Sequence, residues 1–410
     1  MKLKNLHYGW VITIVAALIL ATQALSLQIF GIFLIPLTEQ FGWERGALSG
    51  AYSISFLLSG ALGIFTGRLS DTYGPRILLT VSGLTMGAAL ILMSYVDSLW
   101  QVYLVWGLIL GVGRGCCVVP LVSTIPRWFE EKRGIAIGIT VAGIGLGGII
   151  WPPLAQWLIS LYSWPRAFFI LGLITLALIT PLAQLMKQSP ERAGVKAYGE
   201  TAAIIEEQSV ALTTDLPVNQ VIKAGRFWVL GLLQFCFIFS VQVLNVHIAP
   251  YAQDIGFSEV VAASFLSVIA GASAFGRLSM GFISDRTGGR LALSVCCIMA
   301  ILTLIWLLFA QEAWMFYLFA VVFGLAWGGL VPVTTVVAAE LFGVKYLGAL
   351  IGVMLLIGSA GGALGAPLAG IIFDITESYS SAFFICIALG ALAVIFSVIL
   401  LRFKVERSKV

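Results

Sequence analysis

Two arginines stand deep inside apolar runs of this 410-residue chain: Arg114 in the run 100–125 and Arg277 in the run 258–283. A guanidinium at the centre of a hydrocarbon layer costs at least roughly 2.5–3.5 kcal/mol and therefore calls for a compensating partner. No Asp, Glu or Lys lies at comparable depth; Asp97, Asp254, Glu340 and Asp374 fall near the ends of runs. An anion would offset the cost while bound, and the planar fork of arginine matches a carboxylate through two parallel hydrogen bonds. The competing explanation is a guanidinium that bonds helix carbonyls or reaches out to the membrane edge. It weighs more on Arg277, about two turns from the end of its run.

Other polar residues share this setting. Ser273 lies one turn before Arg277 and should share its helix face. His247, in the run 227–252, is one of two histidines; the other is His7. Its imidazole can donate to a carboxylate, titrate near neutral pH or hold a core hydrogen bond. Gln28, Gln242 and Asn245 can line a cavity or bridge two helices. The six cysteines (Cys116, Cys117, Cys236, Cys296, Cys297 and Cys386) all fall inside apolar runs, so neither a disulfide framework nor a metal site is expected. No cofactor is expected either.

The elements that must position these residues are membrane helices. Hydrophobic residues make up 60% of the chain and charged residues 10%, far from the balance of a soluble domain. Apolar runs long enough to span a bilayer occupy 8–36, 46–69, 77–96, 100–125, 134–160 and 165–186. Six more occupy 227–252, 258–283, 291–310, 313–339, 347–373 and 380–402. The first run is too long for a signal-peptide core and reads as the first helix. Lys2 and Lys4 precede it; Arg68, Arg76, Arg127, Lys132, Arg133, Arg286, Arg290 and Lys345 lie in alternate loops; Arg402, Lys404, Arg407 and Lys409 close the chain. The opposite loops carry little beyond Arg45 and Arg166. Positive residues mark the cytoplasmic side, so both termini are expected there. The expectation is an all-α, multi-pass, monomeric protein of the bacterial inner membrane.

The twelve runs form a sequence written twice. A shift of 214 residues lays Gly67-Arg68-Leu69-Ser70-Asp71-Thr72-Tyr73-Gly74-Pro75-Arg76 over Gly281-Phe282-Ile283-Ser284-Asp285-Arg286-Thr287-Gly288-Gly289-Arg290, with five of ten positions identical. In the same register Gln28 meets Gln242, Gly42 meets Gly256, Trp100 meets Trp314, Tyr103 meets Tyr317 and Pro153 meets Pro367. The organisation expected is a six-helix bundle over 1–186, a polar cytoplasmic linker over 187–226, partly ordered at best, and a second bundle over 227–410. In the paired loops, Gly67, Gly74, Gly281 and Gly288 permit sharp turns, and Asp71 and Asp285 can cap a helix or pair with nearby Arg76 and Arg290. Such loops can latch one conformation and release another; the plainer alternative is a turn with topology-setting arginines. The stretch Gly143–Pro153 reads as a hinge or a close-packing seam.

The duplicated G-x-x-x-D-x-x-G-x-R loops resemble the signature loop of the major facilitator superfamily. Four further stretches are similar to its monocarboxylate-transporter-like and oxalate/formate-antiporter-like branch: Arg127–Gly134, Ser189–Gly194, Phe227-Trp228 with His247–Tyr251, and Gly276–Gly281. The resemblance covers the whole chain. It implies two pseudo-symmetric six-helix bundles, a substrate near the midplane, and alternating access. It also implies that Arg277 holds the substrate carboxylate with His247 and Ser273 adding hydrogen bonds, and that Arg114 is a second positive contact or a coupling group. Ser273 stands where the eukaryotic monocarboxylate carriers have an aspartate, and Met354 where oxalate carriers have a lysine. The first departure removes the aspartate of their arginine–aspartate proton relay; the second favours a substrate with a single carboxylate.

The function expected is secondary transport of a small monocarboxylate such as lactate or pyruvate, with proton symport favoured as the coupling. Anion exchange of the oxalate/formate type and efflux of apolar compounds are the alternatives. No H-E-x-x-H and no Ser–His constellation at helix spacing points to an intramembrane enzyme.

Overall fold

The structure, a computed structural model, describes residues 7–129, 133–196, 198, 221–342 and 347–402. Lys2, Lys4, Lys132, Lys345, Lys404, Arg407, Lys409 and most of the linker lie outside the described residues. Among the described residues the chain is almost wholly helical, with twelve helices long and apolar enough to cross a membrane. They are α1 Tyr8–Phe41, α2 Arg45–Tyr73, α3 Pro75–Met93, α4 Leu99–Trp128, α5 Arg133–Leu161 and α6 Trp164–Leu185. The remaining six are α7 Gly225–Asp254, α8 Glu259–Thr287, α9 Gly289–Leu307, α10 Ala313–Phe342, α11 Leu347–Thr376 and α12 Ser380–Arg402.

The first helix runs to Phe41, five residues beyond the apolar run that announces it. Its polar last turn, Thr38-Glu39-Gln40, continues the helix until Gly42 ends it with φ +69°. Glycine alone adopts such a backbone without strain. The same device recurs 214 residues on: Gly256 ends the α7 segment with φ +101°, and Gly74 and Gly288 precede α3 and α9 with φ +85° and +90°. The repeat seen in the sequence is therefore a repeat of backbone turns.

The chain forms two compact units. The first comprises residues 1–43 and 50–205, the second residues 44–49 and 206–410. The boundary cuts through α2, whose first turn belongs to the second unit.

Within the first unit, α5 lies against α1 so closely that a Cβ on Gly143 or Gly147 would fall on the carbonyl oxygen of Ala17 or Ala21. Trp151 Nε1 donates to the Ala21 carbonyl at 2.6 Å. In the second unit α11 meets α7 in the same way, Gly361 and Gly365 lying against the carbonyls of Phe235 and Phe239. Small residues let membrane helices gain dispersion contact by backbone approach, where water offers no driving force. The stretch Gly143–Pro153 thus acts as a packing seam.

The start of the linker is ordered on the first unit. Pro190–Ala193 forms a single helical turn, with Ser189 Oγ accepting from the Arg192 N–H. Tyr198 N donates to the Trp128 carbonyl at 2.9 Å, and its ring packs on His7, Trp10 and Phe129.

Candidate functional site

In the first unit the candidate residues lie on α1 and α4. Helix α4 is irregular around Arg114: residues Tyr103–Leu110 are π-helical, and a break at Cys116-Cys117 separates Gly111–Gly115 from Val118–Thr124. Wide turns of this kind concentrate at functional sites. Gly111 and Gly115 bring α4 against α2, where a Cβ would press on Ser55 Cα at 3.1 Å and on Leu62 Cβ at 2.7 Å. Arg114 is 3% exposed. Its Nη1 donates to Ser55 Oγ at 3.0 Å, and its guanidinium lies 5.8 Å from the Tyr52 ring centre and 5.4 Å from that of Phe56. Its Nε has no hydrogen-bond partner among the described residues, and no carboxylate there forms an ion pair with it. The partners are a hydroxyl and two π faces, which stabilise a cation without neutralising it. Tyr52 also donates to the Leu27 carbonyl of α1 at 3.4 Å, beside Gln28. Gln28 is buried, and its Oε1 also lacks a partner among the described residues.

In the second unit the candidates lie on α7 and α8. Arg277 is half-buried on α8. Ser273 is 1% exposed and donates to the Ala270 carbonyl at 2.8 Å. On α7, Asn245 Nδ2 donates to Gln242 Oε1 at 2.8 Å, joining two of the expected residues. His247 is fully buried. Its Nε2 lies 2.8 Å from the Ala366 carbonyl and its Nδ1 lies 3.0 Å from Tyr379 Oη. A carbonyl only accepts, so Nε2 carries the proton and Nδ1 accepts from the tyrosine. A hydrogen bond from His247 to a substrate thus requires one of these to exchange.

Beyond Tyr379 lies a set of residues that the sequence showed only as charges at helix ends. Arg45 Nη1 and Nη2 bond the two carboxylate oxygens of Asp254 at 2.6 and 2.9 Å, and Nη1 also donates to Tyr379 Oη at 2.9 Å. The guanidinium stacks 3.8 Å above the Phe373 ring. The Asp374 carboxylate accepts from the backbone N–H groups of Arg45 and Gly46 at 2.9 and 2.7 Å, placing negative charge at the α2 N-terminus, where the helix dipole favours it. Tyr379 lies in the α11–α12 connection; burial pushes its phenol up, so it serves as a neutral hydroxyl. Arg45, Asp254 and Asp374 were visible in the sequence, but their meeting depends on helix packing across more than 200 residues of chain.

The profile of the Major Facilitator Superfamily matches residues 16–312 and again 230–410 of this chain. The chain belongs to that superfamily. Monocarboxylate transporter 13 of Rattus norvegicus is 26% identical over 385 residues, covering 92% of this chain and 85% of the relative. Monocarboxylate transporter 12 of Rattus norvegicus is 27% identical, covering 97% and 85%. A bacterial relative, the uncharacterized MFS-type transporter YcxA of Bacillus subtilis (strain 168), is 25% identical, covering 90% of each. Among solved structures, a bacterial homologue of the human lysosomal transporter Spinster aligns with a TM-score of 0.79 over 98% of both chains at 17% identity, a likeness of fold.

In this superfamily chain the two signature loops are held differently. In the first unit Arg76 Nε donates to Gln184 Oε1 at 2.6 Å. In the second, Glu340 Oε1 accepts from the Gly289 N–H at 2.9 Å and its Oε2 lies 3.5 Å from Arg290 Nε. A Cβ at Gly67 would sit 3.1 Å from Val119, whereas Gly281 faces open space. Asp71 and Asp285 lie in α2 and α8; their side chains are outside the described ones.

Proposed function

We propose that this major facilitator protein is a secondary transporter of a small monocarboxylate of the lactate or pyruvate kind, working by alternating access in a bacterial inner membrane with both termini cytoplasmic. The observation that carries this reading is Arg114: a guanidinium 3% exposed, with a hydroxyl and two aromatic faces for partners. A permanent positive charge so housed favours an anion arriving with a carboxylate. The printed names of the curated relatives support the same substrate class. Arg277 binds the substrate carboxylate, with Ser273 beside it; Arg114 supplies a second positive contact or the coupling charge. Gln28, Gln242 and Asn245 supply polar lining. The loops at Gly67–Arg76 and Gly281–Arg290 govern opening on the cytoplasmic side. Proton symport is the coupling, because a proton and an anion entering together leave the pocket's charge unchanged.

Uptake of radiolabelled lactate by proteoliposomes tests the reading. Uptake should rise with an inward proton gradient and be lost in Arg277→Ala. Exchange of internal for external anion with no response to the gradient would make the protein an antiporter. Uptake by Arg277→Ala at the wild-type rate would remove the binding role.

A further inference from the structure

The cluster around Arg45 has a composition that neither packing nor the substrate reading requires. Residues 44–49 belong to the second unit, although from Gly50 onward the same unbroken helix belongs to the first. Gly46 and Gly370 meet backbone to backbone, a Cβ on Gly370 falling 2.6 Å from Gly46 Cα, with the Ile371 side chain beside Gly46. Ionic and hydrogen-bonded contacts add to this packing. Asp254 takes both guanidinium arms, Asp374 takes two backbone N–H groups, and Tyr379 accepts from Arg45. His247 orients Tyr379 by accepting a hydrogen bond from its hydroxyl and is itself fixed by the Ala366 carbonyl. Ser49 Oγ, 3.4 Å from His247 Nε2, closes the ring of contacts.

The internal repeat does not reproduce this arrangement. In the 214-residue register Arg45 corresponds to Glu259, Asp254 to Gln40 and Asp374 to Ser160. Gln40 accepts from Trp164 Nε1 at 2.5 Å, a neutral contact. Of these two equivalent places, only the one in the second unit carries two carboxylates and an arginine.

Buried ion pairs are poor devices for maximal stability and good ones for specifying a single geometry that breaks cleanly when water enters. Asp254 keeps 29% of its side chain exposed, so water has a path to the pair. We infer that Asp254, Asp374, Tyr379 and His247 form a receptor that captures and releases the first turn of α2 through Arg45, a polar strap that holds one state of the transport cycle. In this account His247 is a positioning residue. The inference rests on the alternating-access reading above, but its test needs no substrate.

Spin labels on Glu44→Cys and Glu377→Cys report the position of the turn by pulsed dipolar spectroscopy on the full-length protein in lipid nanodiscs. Both sites are exposed, and the six native cysteines are buried. The native background should give one dominant short distance. Arg45→Ala and Asp254→Asn should each raise the ratio of long to short distances about tenfold, the factor equal to about 1.4 kcal/mol. The double substitution should do no more than Arg45→Ala alone, because that change already removes the contact with Asp254. Asp254→Asn keeps the shape of the side chain and leaves Arg45 its contacts with Tyr379 and Phe373, so it decides the matter if Arg45→Ala does not fold. An unchanged distribution, or additive effects in the double substitution, overturns the strap. Loss of lactate uptake with these distances intact would count against the substrate reading alone.

Discussion

The two halves share a backbone plan and differ in where they accept charge. Their turns coincide at Gly42 and Gly256 and at Gly74 and Gly288. The position of Arg114 is held in the second half by Gly328, and the position of Arg277 is held in the first by Gly63. Each half therefore carries one interior arginine, on helices that are not equivalent, and a glycine where its counterpart carries the other. Gly328 fits its place tightly: a Cβ there would fall on the Ser273 carbonyl oxygen. At Gly63 a Cβ would lie 3.2 Å from one Val119 methyl carbon, a side-chain neighbour that can give way. The lesson is that the duplicated fold tolerates a long charged side chain at either place only when the neighbouring helix stands back.

Six substitutions can break or sharpen this contrast, beginning with the largest effect. Arg277→Ala should lower lactate uptake about 30-fold or more, in line with the 2–5 kcal/mol lost when one partner of a close charged contact is removed. Arg277→Lys should recover part of it, because an ammonium keeps the charge and loses the two-point geometry; equal loss in both would mean that shape alone matters. Gly328→Ala should destabilise the protein by about 1–3 kcal/mol through overpacking against α8, read as a lower unfolding midpoint in detergent. Gly63→Ala should stay within about 0.5 kcal/mol of the parent, since only a methyl must give way.

Arg114→Met should raise the unfolding midpoint while lowering uptake. It removes a buried charge whose partners are neutral and retains most of the volume. A lower midpoint would mean that Ser55 and the aromatic faces already repay the burial of the charge. Asp374→Asn should cost about 0.3–1 kcal/mol, the range for a charge at a helix N-terminus.

Much of this was legible in the sequence. The twelve spans follow from apolar length, and the repeat follows from glycines and prolines held in one register. Helix ends were less legible. Hydropathy stops where side chains turn polar, whereas α1 continues to Phe41 until Gly42 ends it. The interior arginines were visible because charge is rare in an apolar run. The helix irregularity beside Arg114 was not, since the π-helical stretch Tyr103–Leu110 arises from packing. His247 shows the same limit: the sequence marked it as a polar group in an apolar helix, and the structure commits both its nitrogens to Tyr379 and Ala366. The Arg45 cluster left only the trace of single charges at three helix ends, a pattern that topology alone would produce.

The central proposal is that Arg277 receives a small carboxylate. Thermal unfolding of the purified protein with increasing lactate tests it most directly, because a ligand that binds the folded state alone raises the midpoint. The account predicts a concentration-dependent rise in the parent protein and none in Arg277→Ala. An equal rise in both would place the carboxylate elsewhere and contradict it.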